Sequence, residues 1–197
     1  DGKNACVAFR GTEPTQWSDI KADLKIRKVK CPTGFVHRGF RDAINEVWSD
    51  VADWLRKQKK EEVFFTGHSL GGALATLAAS RWNTSTTHLY TFGSPRVGGK
   101  KFIQSFKFNE RYRYRNNNDI VTKVPFEILG YKHVSGEGGN FIYFDINGNV
   151  SNKFSRWYMF KQWVKGTLRG MMKLKVDGFS DHGIHNYVDY CKREWQK

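Results

Sequence analysis

The stretch from Glu62 to Arg81 constrains the fold of this chain more than any other. Glu62-Val63-Phe64-Phe65-Thr66 is rich in β-branched and aromatic residues, Gly67-His68-Ser69-Leu70-Gly71-Gly72 follows at once, and Ala73 to Arg81 is rich in alanine and leucine. Strand formers, a glycine turn and helix formers in that order predict a strand that hands the chain straight to a helix. Parallel sheets with covering helices are built from this unit. The pattern recurs at Thr87 to Phe92 (strand), Gly93 to Gly99 (turn) and Lys100 to Phe108 (helix). Upstream, Asn4 to Phe9 predicts a short buried strand. Phe40, Ile44, Val47, Val51 and Leu55 recur every three or four residues and predict the longest helix, Phe40 to Lys59. A polar, basic connection through Cys31-Pro32-Thr33-Gly34 precedes it.

Downstream, the alternating Tyr112-Arg113-Tyr114-Arg115 predicts a strand nearer an edge of the sheet. Tyr131 to Val134 and Phe141 to Phe144 predict a closing hairpin around Gly136-Glu137-Gly138-Gly139, and Asp181 to Lys192 a final helix. No internal repeat or linker interrupts the chain. The expectation is one α/β domain over residues 1–197, a mostly parallel sheet with flanking helices.

Within the first unit, Gly67-His68-Ser69-Leu70-Gly71 has the chemistry of a nucleophile turn. A hydroxyl of ordinary acidity attacks poorly, so a serine enzyme must lift its Oγ into the open and give it a base. Glycines two residues to either side leave room for the strained bend that does the lifting. The serine then sits at a helix start, where the backbone N–H of Leu70 points toward a developing oxyanion. The plainer alternative is a tight turn with Ser69 as a helix cap.

A nucleophile of this kind needs a base and an acid, in the chain order serine, acid, histidine. Asp119 follows the strand 112–115, at the sheet edge where parallel sheets carry function. The alternative for Asp119 is an Asx-turn in the polar Asn116-Asn117-Asn118 loop. Asp145, in Asp145-Ile146-Asn147-Gly148, is the rival acid but reads as a hairpin turn. His182 and His185 lie beyond every acid candidate, three apart on one predicted helix face. His88, at a strand start, reads as structural.

Charge and cysteines leave the partners open. A net charge of +14 favours acidic partners such as anionic lipid surfaces, acidic polysaccharides or nucleic acid. The basic residues are spread along the whole chain, which equally describes a solvated surface. Cys6, Cys31 and Cys191 have no C-x-x-C spacing, so neither a zinc site nor a thioredoxin-like motif is suggested; one disulfide with a buried thiol and three buried thiols both fit. No apolar run approaches the roughly 20 residues that span a bilayer, and the sequence as given reads without a leader segment.

The ordered motifs resemble those of the fungal-type class 3 lipases, an α/β-hydrolase family. Thr66 to Ala75 resembles that family's nucleophile elbow, Phe9-Arg10-Gly11-Thr12 its oxyanion strand end, and Val36-His37-Arg38-Gly39-Phe40 its motif before the long helix. Thr91 to Gly98 resembles the strand and turn after the elbow. Asn118-Asp119-Ile120-Val121 with Pro125 resembles the acid loop, and Asp181-His182 with Tyr187 the histidine loop. The matches run from about Ala5 to Tyr187. One departure is that the family has a helix and strands before the oxyanion strand, whereas this chain starts almost at that strand; it is a trimmed piece or a reduced version of the fold.

The resemblance implies Ser69, Asp119 and His182 as a catalytic triad, with Thr12 as second oxyanion donor beside Leu70. It implies that Thr15 to Leu24 is a lid whose Trp17, Ile20 and Leu24 cover an acyl groove, the alternative being a fixed helix on the core. Asp23 resembles the aspartate that steadies the oxyanion hydroxyl, with a solvated helix-end carboxylate as the alternative. His37, His68 and His133 match positions used for packing and orientation, His68 on the substrate and lid side. Trp157 to Lys175 matches nothing in the family. Its apolar stripe (Trp157, Phe160, Val164, Leu168, Met171) and basic stripe (Lys161, Lys165, Arg169, Lys173) describe either an interfacial helix or a flap hinged at Gly166 and Gly170. A third reading, a helix covering the sheet, is the expectation.

The expected function is a secreted serine carboxyl-ester hydrolase cleaving acylglycerol-type lipid esters through an acyl-enzyme. Phospholipase A1 or feruloyl-type esterase activity on the same fold are alternatives, as is a catalytically idle, basic membrane-binding module. No cofactor, metal or nucleic acid is expected. The expected partners are a lipid or other carboxylic-ester substrate and transient contact with an anionic lipid interface, and the expected state is a monomer.

Overall fold

The computed structural model describes residues 2–11, 27–108, 110–134, 140–151, 155–172 and 180–196. The expected oxyanion donor Thr12, the expected lid helix Thr15 to Leu24 with Trp17, Ile20, Asp23 and Leu24, the glycine turn at 136–139 and the end of the basic segment at 173–175 lie outside the described residues.

Five parallel strands form the body of the main sheet: β1 (Asn4–Phe9), β4 (Glu62–His68), β5 (Thr87–Phe92), β7 (Arg111–Asn116) and β9 (Asn140–Phe144). They lie side by side in that order, and antiparallel β10 (Val150–Ser151) closes the far edge. Helices α1 (Arg38–Gln58) and α2 (Leu70–Trp82) follow β1 and β4 as crossovers and pack together over one face. The register sets Ala5 beside Val63, and Phe65 beside Leu89, and all four are buried under those helices with Ile44, Leu55, Ala75 and Ala78. Each large side chain so buried contributes about 1.5–3 kcal/mol. The alanines of α2 let its axis approach the strands closely. This mostly parallel sheet with flanking helices is the α/β-hydrolase type of fold.

The other elements depart from the expectations in informative ways. The basic connection before α1 is a hairpin, β2 (Lys28–Cys31) with β3 (Gly34–His37). It heads a second, four-stranded antiparallel sheet completed by β6 (Gly98–Gly99) and β8 (Tyr131–Lys132). The expected hairpin between 131–134 and 141–144 does not form, because β8 pairs with β6 while β9 pairs parallel with β7. That second pairing sets Arg113 opposite Phe141 and Arg115 opposite Tyr143. It also makes β7 an inner strand. The guanidinium of Arg113 is buried 4.2 Å from the Phe141 ring centroid, and burial with the neighbouring Arg115 and Arg96 lowers its pKa to about 9. Charged alternation read as an edge is thus absorbed by rings on the next strand.

Helix α3 (Lys100–Gln104) is shorter than expected, and Val47 of α1 is exposed. Helix α4 (Arg156–Met172) runs unbroken through Gly166, yet the rings at the start of its apolar stripe are not turned to the sheet: Trp157 and Phe160 face outward. Helix α5 (Ile184–Trp195) begins later than expected, so His182 precedes the helix and shares no face with His185, which is exposed. The cysteines are all free and Cys6 is exposed, which excludes three buried thiols. Among the described residues, no helix is long and apolar enough to cross a membrane.

Candidate active site

At the carboxyl end of β4 the chain reverses into α2 through Ser69, whose backbone adopts φ 60° and ψ −128°. A residue other than glycine holds such a conformation only where the surroundings impose it. Here the neighbouring glycines impose it. A Cβ on Gly67 would lie 2.3 Å from the backbone of Gly71, and a Cβ on Gly71 would lie 2.0 Å from the carbonyl oxygen of Phe9. Strand β1, the turn and the helix start therefore meet backbone to backbone. The Ser69 N–H donates to the Phe92 carbonyl at 2.9 Å, which fixes the turn against β5. Leu70 is the first residue of α2, so its N–H is among those that no intrahelical carbonyl accepts.

A continuous hydrogen-bonded chain leads away from the Ser69 hydroxyl. The hydroxyl donates to His182 Nε2 at 2.8 Å. His182 Nδ1–H in turn donates to the Asp119 carboxylate, at 3.0 Å to Oδ1 and 2.9 Å to Oδ2. All three side chains are buried. A buried carboxylate is costly unless its oxygens are satisfied. Asp119 also accepts the Tyr187 hydroxyl on Oδ2 at 2.5 Å and the Val121 N–H on Oδ1 at 2.9 Å. The Asx-turn weighed for Asp119 is therefore present together with the histidine contact. Burial and the adjacent Asp119 push the Tyr187 phenol well above its ordinary pKa, so it stays protonated and keeps donating.

The histidine loop is lashed to the acid loop by residues that the sequence reading named only as loop or motif positions, without this role. Asn116 Nδ2 donates to the Asp181 carbonyl at 2.9 Å, while Asn117 Nδ2 (3.1 Å) and the Asn118 N–H (2.9 Å) donate to its carboxylate. The Asn116 N–H donates to the Tyr187 hydroxyl at 2.9 Å. Asp181 is spent on these bonds instead of continuing the helix, which explains the late start of α5. Three adjacent asparagines beside an acid candidate were the available signal. Gly93 was also missed: its φ is +58°, and a Cβ there would lie 2.7 Å from Asp119 Oδ2 and 3.1 Å from the His182 ring.

The remaining histidines divide as follows. The His68 ring stacks on His182, with centroids 4.6 Å apart, and its Nε2–H donates to the His182 carbonyl at 2.8 Å. Burial, then the nearby His182, lowers the His68 pKa to about 4. It is thus a neutral plate behind the candidate base, fixed in one tautomer by a carbonyl that can only accept. His37 is buried against Phe40, His133 Nε2–H donates to the Thr122 carbonyl at 2.7 Å, and His88 pairs with Glu62 at 2.5 Å. The rival acid, Asp145, accepts from Asn147, Asn149 and Tyr158, with no histidine among these partners. An apolar cavity of about 750 Å³ opens beside His182, with Phe9, Gly11, His68, Val188 and Trp195 in its wall. Ser69 does not line it, and we assign it no part in holding an ester.

Residues 6–129 match the family described as Lipase (class 3), which is more than half of the chain. The chain belongs to the class 3 lipase family. Among relatives, secreted mono- and diacylglycerol lipase A from Penicillium camembertii is 38% identical over 154 residues, 70% of this chain and 48% of that protein. The lipase of Rhizomucor miehei is 34% identical over 153 residues, 68% of this chain and 41% of its own length. A solved triacylglycerol lipase whose catalytic centre is described as a serine protease triad superposes with a TM-score of 0.61 at 30% identity. The alignment covers 76% of this chain and 60% of that one. The chain spans about half or less of the curated relatives it matches. For a class 3 lipase relative, the described residues hold Ser69, Leu70, His68, Asp119 and His182 around one turn, whereas Thr12 and the lid positions fall outside them.

Proposed function

We propose that this protein is a serine carboxyl-ester hydrolase that cleaves acylglycerol-type lipid esters, with Ser69, His182 and Asp119 as its triad. The observation that carries this reading is the chain of hydrogen bonds from the Ser69 hydroxyl through His182 to Asp119. His182 Nε2, free of a proton, takes the proton of Ser69 as Oγ bonds to the ester carbonyl carbon. Asp119, fixed by Tyr187 and the Val121 N–H, holds the proton on Nδ1 and steadies the imidazolium that forms. The Leu70 N–H receives the developing oxyanion at the helix start, and Thr12 is proposed as its partner. When the tetrahedral adduct collapses, the C–O bond to the alcohol breaks and the proton passes from His182 to the leaving alkoxide. Water repeats the sequence on the acyl-serine and releases the acid. The names of the relatives support lipid esters as substrate and an extracellular setting.

A p-nitrophenyl alkylphosphonate tests this reading, because its phosphorus is attacked like an ester carbonyl but the adduct does not hydrolyse. The expected result is one adduct per chain, on the peptide that carries Ser69, with none in the Ser69→Ala protein. Labelling of Ser69→Ala to the same extent would overturn the proposal.

A further inference from the structure

Helix α4 is oriented opposite to a helix that covers a sheet. Its inward side carries Tyr158, whose hydroxyl donates to Asp145 Oδ2 at 2.7 Å, together with buried Gln162 and Gly166. Its outward side carries a row of rings. Trp157, Phe160 and Trp163 are 62%, 48% and 42% exposed, with ring centroids 5.5 Å and 5.8 Å apart along the row. A contiguous exposed apolar patch of this kind marks a surface that meets something other than water.

Cations flank the row. Lys161 and Lys165 are exposed, the Lys161 ammonium lies 5.4 Å from the Trp157 ring centroid, and that of Lys123 lies 6.0 Å from Trp163. From Lys153 to Lys175 inclusive the sequence holds seven lysines and arginines and no acidic residue. Indoles settle at the boundary between headgroups and acyl chains, and lysines beside them meet the phosphate charge. An exposed helix face of rings and lysines lies flat on a bilayer, whereas single-stranded nucleic acid is held in a groove that tracks its backbone.

We propose that α4 is a docking helix for anionic phospholipid bilayers, with the ring row in the headgroup boundary and Lys161 and Lys165 level with the phosphates. Asn118 Nδ2 donates to the Trp163 carbonyl at 3.2 Å, so the docking face is tied to the loop that carries Asp119. The proposal goes beyond the hydrolase reading and does not depend on it.

The test is co-sedimentation of Ser69→Ala protein, chosen to leave vesicle lipid intact, with phosphatidylcholine vesicles that contain or lack phosphatidylserine. Binding is expected only with phosphatidylserine, and is expected to fall steeply between about 0.1 M and 1 M salt as the screening length drops from about 10 to 3 Å. Lys161→Gln with Lys165→Gln is expected to weaken partitioning about 30-fold, two surface charges' worth, and Trp157→Ser with Phe160→Ser at least as much. Lys57→Gln with Lys59→Gln, on α1 and at its C-terminal end, removes the same charge and is expected to change binding less than threefold. An equal loss in both lysine pairs would assign binding to net charge and overturn the proposal. So would salt-sensitive retention of polyadenylate with no binding to either vesicle. Vesicle binding without phosphonate labelling would leave this proposal standing and remove the catalytic one; the reverse pair of results would do the opposite.

Discussion

Asp119→Asn is expected to lower kcat for ester hydrolysis by about 10⁴-fold while the protein keeps its fold. The reason lies in how completely the carboxylate is used. Oδ2 accepts from Tyr187, Oδ1 accepts from the Val121 N–H, and both accept from His182 Nδ1–H. An asparagine must replace one oxygen with an NH₂ group that donates. The amide oxygen stays with a backbone or phenol donor, and the NH₂ is left facing Nδ1. The imidazole then carries its proton on Nε2 instead, where it meets the Ser69 hydroxyl as a donor and can no longer take its proton. Steady-state hydrolysis of p-nitrophenyl butyrate, with circular dichroism to verify folding, measures the effect. A loss below tenfold would mean that His182 is not oriented through Asp119.

The second large effect concerns folding. Gly71→Ala is expected to cost about 4 kcal/mol or more, at the exceptional end of single substitutions and a large share of the about 5–15 kcal/mol by which a domain is stable. The added Cβ would lie 2.0 Å from the Phe9 carbonyl oxygen and 2.8 Å from its carbon. Both are backbone atoms of β1, held by its register with β4 from Asn4 to Phe9. No rotamer change relieves the clash, so the strand must part from the helix. Gly2→Ala is the control, because nothing lies within 4 Å of its Cβ position, and its expected change is within about 0.5 kcal/mol. Denaturant midpoints of the two variants decide the matter, and similar midpoints would contradict the close approach.

These two positions illustrate what the sequence made legible. Turn chemistry is local: Gly67, Ser69 and Gly71 have spacings that only a tight reversal uses, and the strand and helix around them declare themselves by residue type. Chain order favoured Asp119 and left His182 and His185 both open, and the resemblance to the class 3 lipases then picked His182; the fold joins Asp119 and His182 to Ser69 by hydrogen bonds. Long-range pairing was less legible. The arginines of β7 look like an edge until Phe141 and Tyr143 are known to lie opposite them. The hairpin of β2 and β3 was hidden because its short strands carry lysines toward solvent. Spacing in 157–171 revealed a helix with a stripe of rings, but periodicity cannot say which side of a helix faces the protein. There the small and polar side, with Tyr158, Gln162 and Gly166, is the inner one.

Everything proposed for the chemistry depends on a hydroxyl at position 69 attacking an ester carbon. The direct measurement is the rate of p-nitrophenyl butyrate hydrolysis by folded Ser69→Ala protein beside the unaltered chain. The account predicts a fall of about 10⁶-fold. A variant that still turns over within tenfold of the original would place the nucleophile elsewhere and contradict it.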